Sequence, residues 1–554
     1  MLFVIDRYFA DHLEWAASNQ IHDEVRLVPE PSADPADPLN FARWRKYGIL
    51  FSMCLVPFVV NFTSASISSA LPVYASTPIF GLPPKPFKDL TQLIAVGHLF
   101  IRINRDKLTD KQINILMLGA SNLFWVPLSY IIGRRPVMLL SLLLLTFSSM
   151  WAGLTTNFDS LLAARFFMGV GGGPADAVAP DVVGEVFFVH ERGRVMVRMA
   201  MCQSLVQSIL SVNLFQAFYT IFLSMGSFVG PIAGGYIAAH NGLAWIHWTN
   251  VILTAITFVI CAFLLPETLY ERPVPSASDT ADPTTKSTTE KTEDIAVTTG
   301  TAEQTSYAPY TFLRSLKPFT YHGGVGRKFI APFLTLRLPG VWLVSLWYAG
   351  LVGAIVTIST VGSQIVASPP YLWGEDAGLI NCGGLVGAVL GCVYTYFVAD
   401  FTTKRLAKKD IHGFSEPESR IITAIPALLI STAGTIIFGV VAQNPAPKAW
   451  VGLQFAYGMV AFGLMQAPSV GFNYIIESYP AIAGDCFVAV TGTRAIIAFA
   501  WTFFVGTWTQ KSGYAIPFGV FGMLLGLFGL LTVPYWIWGK RLRIATADWV
   551  EKLM

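Results

Sequence analysis

Gly226-Ser227-Phe228-Val229-Gly230-Pro231-Ile232-Ala233-Gly234-Gly235 lies inside an apolar run, and its reading decides the fold. Glycines four residues apart line one face of a helix and let a second backbone approach closely. Pro231 frees a carbonyl and bends the chain. A lone GxxxG pair is common wherever membrane helices pack, whereas the full GxxxGPxxGG string is far more specific. The chain around it suits that setting. Of 554 residues, 53% are apolar and only 13% charged, with mean hydropathy +0.55. A soluble domain carries roughly 25% charged residues, so a cytosolic enzyme is excluded.

Apolar runs of about 20 residues, each long enough to cross a hydrocarbon core of about 30 Å, alternate with short charged loops. They predict spanning helices at 47–70, 113–132, 136–156, 160–181, 217–239 and 245–265, then at 340–364, 376–399, 421–442, 449–473, 484–505 and 515–538. The expected fold is all-α and integral to the membrane, with twelve transmembrane helices in two pseudo-symmetric six-helix bundles, 47–265 and 340–538. Residues 1–46 form an N-terminal segment, 266–339 a linker and 539–554 a tail. Within the linker, 276–306 holds fourteen Ser or Thr among scattered charges, a composition that reads as disordered and open to phosphorylation. Residues 309–336, aromatic beside Arg314, Lys317, Arg327 and Lys328, read as a membrane-surface segment.

Orientation follows from the cation bias of short loops. Arg43, Arg45 and Lys46; Arg134 and Arg135; Arg192 and Arg194; the linker; Lys404, Arg405, Lys408 and Lys409; and Lys540, Arg541 and Arg543 fall on one side. Both termini are therefore expected in the cytoplasm, with no cleavable signal peptide ahead of the first span. Two segments break the pattern. The loop after the first span places six cations, Lys85 to Lys111, on the wrong side, and residues 195–239 carry a single charge, Arg198, over a length too great for one helix. Removing Val96–Gln112 and Val197–Gln216 repairs both. Each segment opens on Val-Gly or Val-Arg and closes on Gln, codons that can spell splice donor and acceptor sites, so both read as translated introns. The alternative is genuine insertions that pack at the membrane surface.

Further motifs stand in register with the glycine string: Gly133-Arg134-Arg135 between the second and third spans, Leu161-Leu-Ala-Ala-Arg165-Phe-Phe-Met168-Gly169-Val-Gly171 at the start of the fourth, Glu191-Arg192-Gly193-Arg194 before the fifth, and Pro266-Glu267-Thr268 after the sixth. With Asn122-Leu-Phe-Trp-Val-Pro127 and Glu416-Pro417-Glu418-Ser-Arg420, they make the chain similar to the major facilitator superfamily. Within it, the chain resembles the fungal twelve-helix drug:proton antiporters over about residues 40–545, the linker and two misfit segments aside. The decade Gly226–Gly235, with Gly226, Gly230, Pro231, Gly234 and Gly235 at the matching places, resembles that group's antiporter signature. One departure concerns the loop motif GxLADRxGRR, whose carboxylate position is Tyr130 here. Asp400-Phe-Thr-Thr-Lys404-Arg405 in the second half keeps the acid-to-base spacing.

The resemblance implies a central cavity that opens to each face in turn, and for Arg165 a part in proton coupling. Ionisable groups inside a membrane helix are costly and face a cavity or a partner, which singles out Arg165 and Arg494, with Asp176 as a proton carrier. Asn61, Ser64, Tyr348, Gln364, Asn381, Tyr394, Gln454 and Gln466 are the candidate cavity polar groups, and interhelical hydrogen bonding is the alternative for each. Glu185 and Glu477, at matching places in the two halves, are expected to latch the cytoplasmic side against Arg134/Arg135 and Lys404/Arg405.

No nucleotide-binding loop or metal-ligand spacing is present, and the six cysteines read as apolar packers. No cofactor, no metal and no nucleic-acid partner is expected. The sequence leads to proton-coupled export of a small organic molecule by a monomer in the plasma membrane, or in a vacuolar membrane. A proton-driven importer on the same fold and a non-transporting membrane receptor are the alternatives.

Overall fold

The computed structural model describes residues 37–70, 114–156, 158–186, 213–270, 325–395, 417–479, 482–547 and 549–550. The misfit segment 96–112, most of 197–216, the Ser/Thr-rich linker and Asp400 to Arg405 lie outside them.

Twelve spanning units follow in the expected order. In the first half they are α1 (Arg43–Ala65), α2 (Asn114–Ala120 continued by Asn122–Ile132), α3 (Arg134–Leu154), α4 (Phe158–Gly172 continued by Pro174–Val186), α5 (Asn213–Asn241) and α6 (Leu243–Leu264). The second half has α7 (Pro339–Ala367), α8 (Asn381–Tyr394, entered through the 3-10 turn Gly374–Ile380), α9 (Ile425–Gln443), α10 (Trp450–Leu464 continued by Gln466–Ser478), α11 (Ala483–Ser512) and α12 (Ala515–Leu530 continued by Thr532–Ala545). Among the described residues, nine stretches are long and apolar enough to cross a membrane by themselves, and Met117–Ile132 is a shorter apolar one. The breaks in α2, α4, α10 and α12 lie where proline or small residues interrupt the hydrogen-bond ladder, as at Gly173-Pro174.

Each half buries its own apolar core, one around Ile49, Met53, Leu142 and Val178, the other around Trp347, Ile358, Phe438 and Tyr457. The halves meet along two seams, α2 against α11 and α5 against α8. Small residues make the approach possible: a Cβ on Gly119 of α2 would stand 2.7 Å from the carbonyl oxygen of Thr491 on α11. The glycine string of α5 works within the first half. Gly226 and Gly230 face Phe58 and Phe62 of α1, Gly234 faces Ser66 just past its end, and a Cβ on Gly230 would sit 2.7 Å from the Phe62 carbonyl oxygen. Across the second seam, a Cβ on Gly378 would fall 2.8 Å from the carbonyl oxygen of Pro231, so the signature proline abuts the opposite half.

At the end of the molecule that carries the basic loops, here the basic end, each half closes its third helix onto its last. Gly133 precedes α3 with φ +105°, a left-handed conformation suited to glycine. It leaves the first α3 amides to Glu267, which accepts from the backbone N–H of Arg134 at 3.0 Å and of Arg135 at 3.2 Å. Glu267 thus caps α3 from just beyond α6, a role for the Pro266-Glu267-Thr268 motif that spacing alone does not reveal. In the second half Glu418, ahead of α9, receives Arg543 from the end of α12 at 3.0 Å. Both halves thus fasten the third helix to the last through a carboxylate, by a backbone cap in the first and by an ion pair in the second.

The described cysteines Cys54, Cys261, Cys392 and Cys486 are buried and Cys382 is half-buried, and all lie in helices. Cys202 lies outside the described residues.

Candidate functional site

Between the halves lies a cavity of about 110 Å³. Its wall is divided by chemistry. Asn61, Ser64 and Ser68 of the first helix region, Ser224 and Ser227 of α5, and Ser359 and Thr360 of α7 give it a row of small polar groups, while Leu118, Val352, Ile355, Val356, Leu464 and Ala498 supply apolar surface. Toward the basic end it is floored by Tyr348 of α7 and Arg494 of α11.

Arg494 is the most constrained of these groups. Its guanidinium donates to the Tyr348 hydroxyl at 2.9 Å and lies over the Tyr348 ring, 4.7 Å from the centroid. On the side away from the cavity it forms an ion pair with Asp176 of α4, and both side chains are nearly inaccessible. The pair therefore joins the N-terminal half to the C-terminal half at mid-depth. One carboxylate oxygen of Asp176, Oδ1, is buried without a hydrogen-bond partner, so the group keeps an unused acceptor in a place where an unpaired carboxylate is costly.

Arg165 takes a different position from the one its charge suggests. It is 0% exposed and does not line the cavity; its guanidinium donates to the carbonyls of Thr63 at 3.1 Å and Ser64 at 2.7 Å. These carbonyls close α1, and Ser64 presents its side chain to the cavity from the other face, so Arg165 fixes the wall from behind.

Four of the expected cavity residues, Asn61, Ser64, Tyr348 and Arg494, come together there. Asp176 stands directly behind Arg494. Asn381 is one step removed, accepting from Ser359 at 3.1 Å and from Tyr457 at 3.2 Å. Gln466 bonds the Gly391 carbonyl at 3.0 Å and Thr395 at 2.7 Å, Gln454 the Leu379 carbonyl at 3.2 Å, and Tyr394 the Thr423 carbonyl at 3.4 Å. These three join helices and do not line the cavity, nor does Gln364. Long amides in a bilayer satisfy themselves on neighbouring backbones. The cavity polarity comes largely from Ser68, Ser224, Ser227, Ser359 and Thr360, which sequence reading passed over because mid-helix serines and threonines look like ordinary packing residues.

At the basic end the halves meet by packing, where Tyr130 and Asp181 of the first face Gly484 of the second, and at the opposite end polar pairs join them. At the basic end, where the resemblance expects a loop carboxylate, the Tyr130 hydroxyl donates to Asp181 Oδ2 of α4 at 2.8 Å, and Arg134 reaches the same carboxylate oxygen at 4.0 Å and the Asp181 carbonyl at 3.3 Å. Asp181 and Tyr130 face Gly484 in the first turn of α11, so a carboxylate still meets the positive end of that helix, now supplied by α4. Glu477 is exposed near the end of α10. The Glu185 side chain and Lys404 and Arg405 lie outside what the structure describes, so the expected latches to them do as well. At the opposite end, Tyr236 of α5 donates to Asp376 at 2.6 Å, His240 lies 3.7 Å from Glu375, and Ser68 lies 3.5 Å from Ser359.

Among the described residues no cluster of His, Cys, Asp or Glu could hold a metal ion.

Comparison with known proteins bears on this architecture directly. The family model described as Major Facilitator Superfamily matches residues 112–212 and 211–494. An uncharacterised MFS-type transporter of Schizosaccharomyces pombe is 26% identical over 95% of this chain and 89% of its own length. Protein HOL1 of Saccharomyces cerevisiae is 24% identical over 95% of this chain and 91% of its own. A multidrug transporter of Candida glabrata is 24% identical over 93% and 79%. The crystal structure of the human organic anion transporter MFSD10 superposes with a TM-score of 0.50 at 16% identity, covering 89% of this chain and all of that one, which speaks for the fold. Twelve helices in two like halves around a central cavity, together with the family match over most of the chain, establish a multi-pass membrane transporter: the chain belongs to the major facilitator superfamily.

Proposed function

We propose that this protein exports small organic molecules in exchange for protons, by rocking its two halves around the cavity floored by Arg494. The observation that carries the reading is the Asp176–Arg494 ion pair, buried, shared between the halves and in contact with the cavity through Arg494. A proton on Asp176 abolishes its charge and weakens the tie across the seam, so proton occupancy and the relative position of the halves are linked. Arg494, freed on its Asp176 side, then offers donors to acceptor groups of a bound solute. Substrates of mixed polar and apolar character suit a wall divided as this one is. The helix-5 string resembling the antiporter signature supports exchange, and the multidrug transporter among the relatives supports an organic substrate. With both ends carrying contacts between halves, and a volume below the roughly 300–1,000 Å³ of ligand pockets, this conformation fits an occluded stage of the cycle.

In this reading the basic end faces the cytoplasm, both termini lie there, and the monomer is the working unit in the plasma membrane. The test is reconstitution into liposomes under an imposed pH gradient with rhodamine 6G as probe. Dye movement opposite to the proton gradient, abolished by Asp176→Asn, is expected. Movement in the same direction as the protons would establish the import reading, and dye transport indifferent to pH would overturn proton coupling.

A further inference from the structure

One element belongs to neither bundle. The helix Val325–Thr335, here the surface helix, comes between the two sets of six and lies across the seam at the basic end, packed on α2 of the first half and α11 of the second. Its grip on each is specific. The Lys328 ammonium donates to the Tyr130 carbonyl at 2.9 Å, near the end of α2, and the Phe329 ring meets that of Phe124 with centroids 6.4 Å apart. On the other side the buried Thr335 hydroxyl lies 3.5 Å from the Asp485 carbonyl in the first turn of α11.

The residues turned away from these contacts are not those of a water-facing helix. Ile330 is 56% and Phe333 54% exposed; three residues apart, they share one helix face, and Phe124 beside the helix is 52% exposed. The charge along this stretch of the chain has one sign. Between Gln304 and Gly374 the sequence contains Arg314, Lys317, Arg327, Lys328 and Arg337 and no aspartate or glutamate. Arg337, immediately after the surface helix, is exposed, and Trp342, also exposed, donates its indole N–H back to the Leu336 carbonyl at 2.7 Å. An apolar helix face, bordered by cations and an aromatic anchor at the level where spanning helices end, is the pattern that seats in the headgroup boundary of a bilayer. The absence of acids over this stretch selects anionic headgroups.

We propose that the surface helix is a strap that binds the anionic lipid surface on the basic side of the membrane, and that lipid binding holds that end of the transporter closed. The strap contacts both halves, and its Lys328 holds the same Tyr130 that faces Gly484 of α11 across the seam. Opening the basic end separates α2 from α11 and must pull the strap from at least one of them. Ile330 and Phe333 seated in the leaflet, with Arg337 on a headgroup, oppose that movement. Each cation near an anionic surface is worth about a fivefold change in binding.

The test needs no transport and does not depend on proton exchange. A Ser64→Cys protein, with its reporter in the cavity wall, is reconstituted into sealed liposomes of phosphatidylcholine alone or of phosphatidylcholine with phosphatidylglycerol in equal parts, and the population with its basic face outward is selected. Labelling by a membrane-impermeant maleimide is compared with the same protein lacking that cysteine. Phosphatidylglycerol should slow labelling from the basic face about fivefold. Ile330→Ser with Phe333→Ser should remove the difference between lipids, Ile330→Val with Phe333→Leu should keep it, and Arg337→Gln should reduce it. Native mass spectrometry should show phosphatidylglycerol retained by the parent and lost from the serine variant, a reading that holds if the labelled variant is poorly folded. Equal labelling of the parent in both lipids, or an undiminished lipid effect and equal lipid retention in the serine variant, would overturn the proposal.

Discussion

Asp176 and Arg494, 318 positions apart in the chain, form one ion pair that fastens the first six helices to the second six just behind the cavity floor. Removing one member leaves the other charge buried, at a cost of about 3 kcal/mol or more, whereas replacing both by apolar residues of similar volume costs far less. Asp176→Leu and Arg494→Met should each lower the thermal midpoint in detergent, and the two together should recover much of the loss. The buried thiols of Cys54, Cys261, Cys392 and Cys486 are built-in reporters for a thiol-reactive dye. Equal, additive losses would show that the two groups do not act as a pair.

The approach of α5 to α1 leaves no room for a side chain at Gly230. Overpacking of this kind costs about 1–3 kcal/mol of stability, so Gly230→Ala should lower the thermal midpoint and reduce transport in protein that still reaches the membrane. Gly492→Ala, where a methyl group meets nothing within 4 Å, is the matched control and should leave transport within twofold. Equal behaviour of the two in a dye-efflux assay would count against close α1–α5 packing.

Glu267 accepts four backbone N–H groups, those of Arg134, Arg135, Thr268 and Leu269. Glu267→Ala strips the cap from α3 and should destabilise the protein by about 2 kcal/mol, with Glu267→Gln intermediate because its carbonyl still accepts. Thermal unfolding followed by the same thiol dye ranks the three proteins. An alanine variant as stable as the parent would remove the cap from the account.

At the end opposite the basic loops, Tyr236–Asp376 and His240–Glu375 are exposed contacts, each weak beside water and screened by salt. Tyr236→Phe with His240→Ala should therefore make a cysteine at Ser68 several times more reactive to an impermeant maleimide applied from that face. The same pair of changes should leave labelling from the basic face unchanged or lower. No change on either side would show that these contacts do not restrain opening.

The sequence makes the membrane architecture plain because apolar length is a coarse and redundant signal. All twelve spans fall where hydropathy puts them, with ends moved by a few residues, as at Pro339–Ala367 against 340–364. The interruptions within spans, such as Ser121 and Met465, are less legible, since prolines also stand where a helix runs on unbroken, as at Pro57 and Pro231. The site divides in the same way. Arg165, Asp176 and Arg494 stand out individually because charge is rare in such helices, yet that two of them meet and the third grips backbone carbonyls depends on helix rotations that no local pattern records. Tyr130 is the clearest case. In sequence it looks like a missing carboxylate, and only the arrangement of α2, α4 and α11 shows Asp181 standing beside it.

The junctions Glu267 to α3 and Arg543 to Glu418 lie wholly inside their respective halves. Each set of six helices is thus finished off with its own fastening and borrows nothing from the other for that purpose. Cut within residues 271–324 and translated as two polypeptides, the fragments should each insert as a sound unit and reassemble in one bilayer, because what joins them is the surface they share and not the chain that links them.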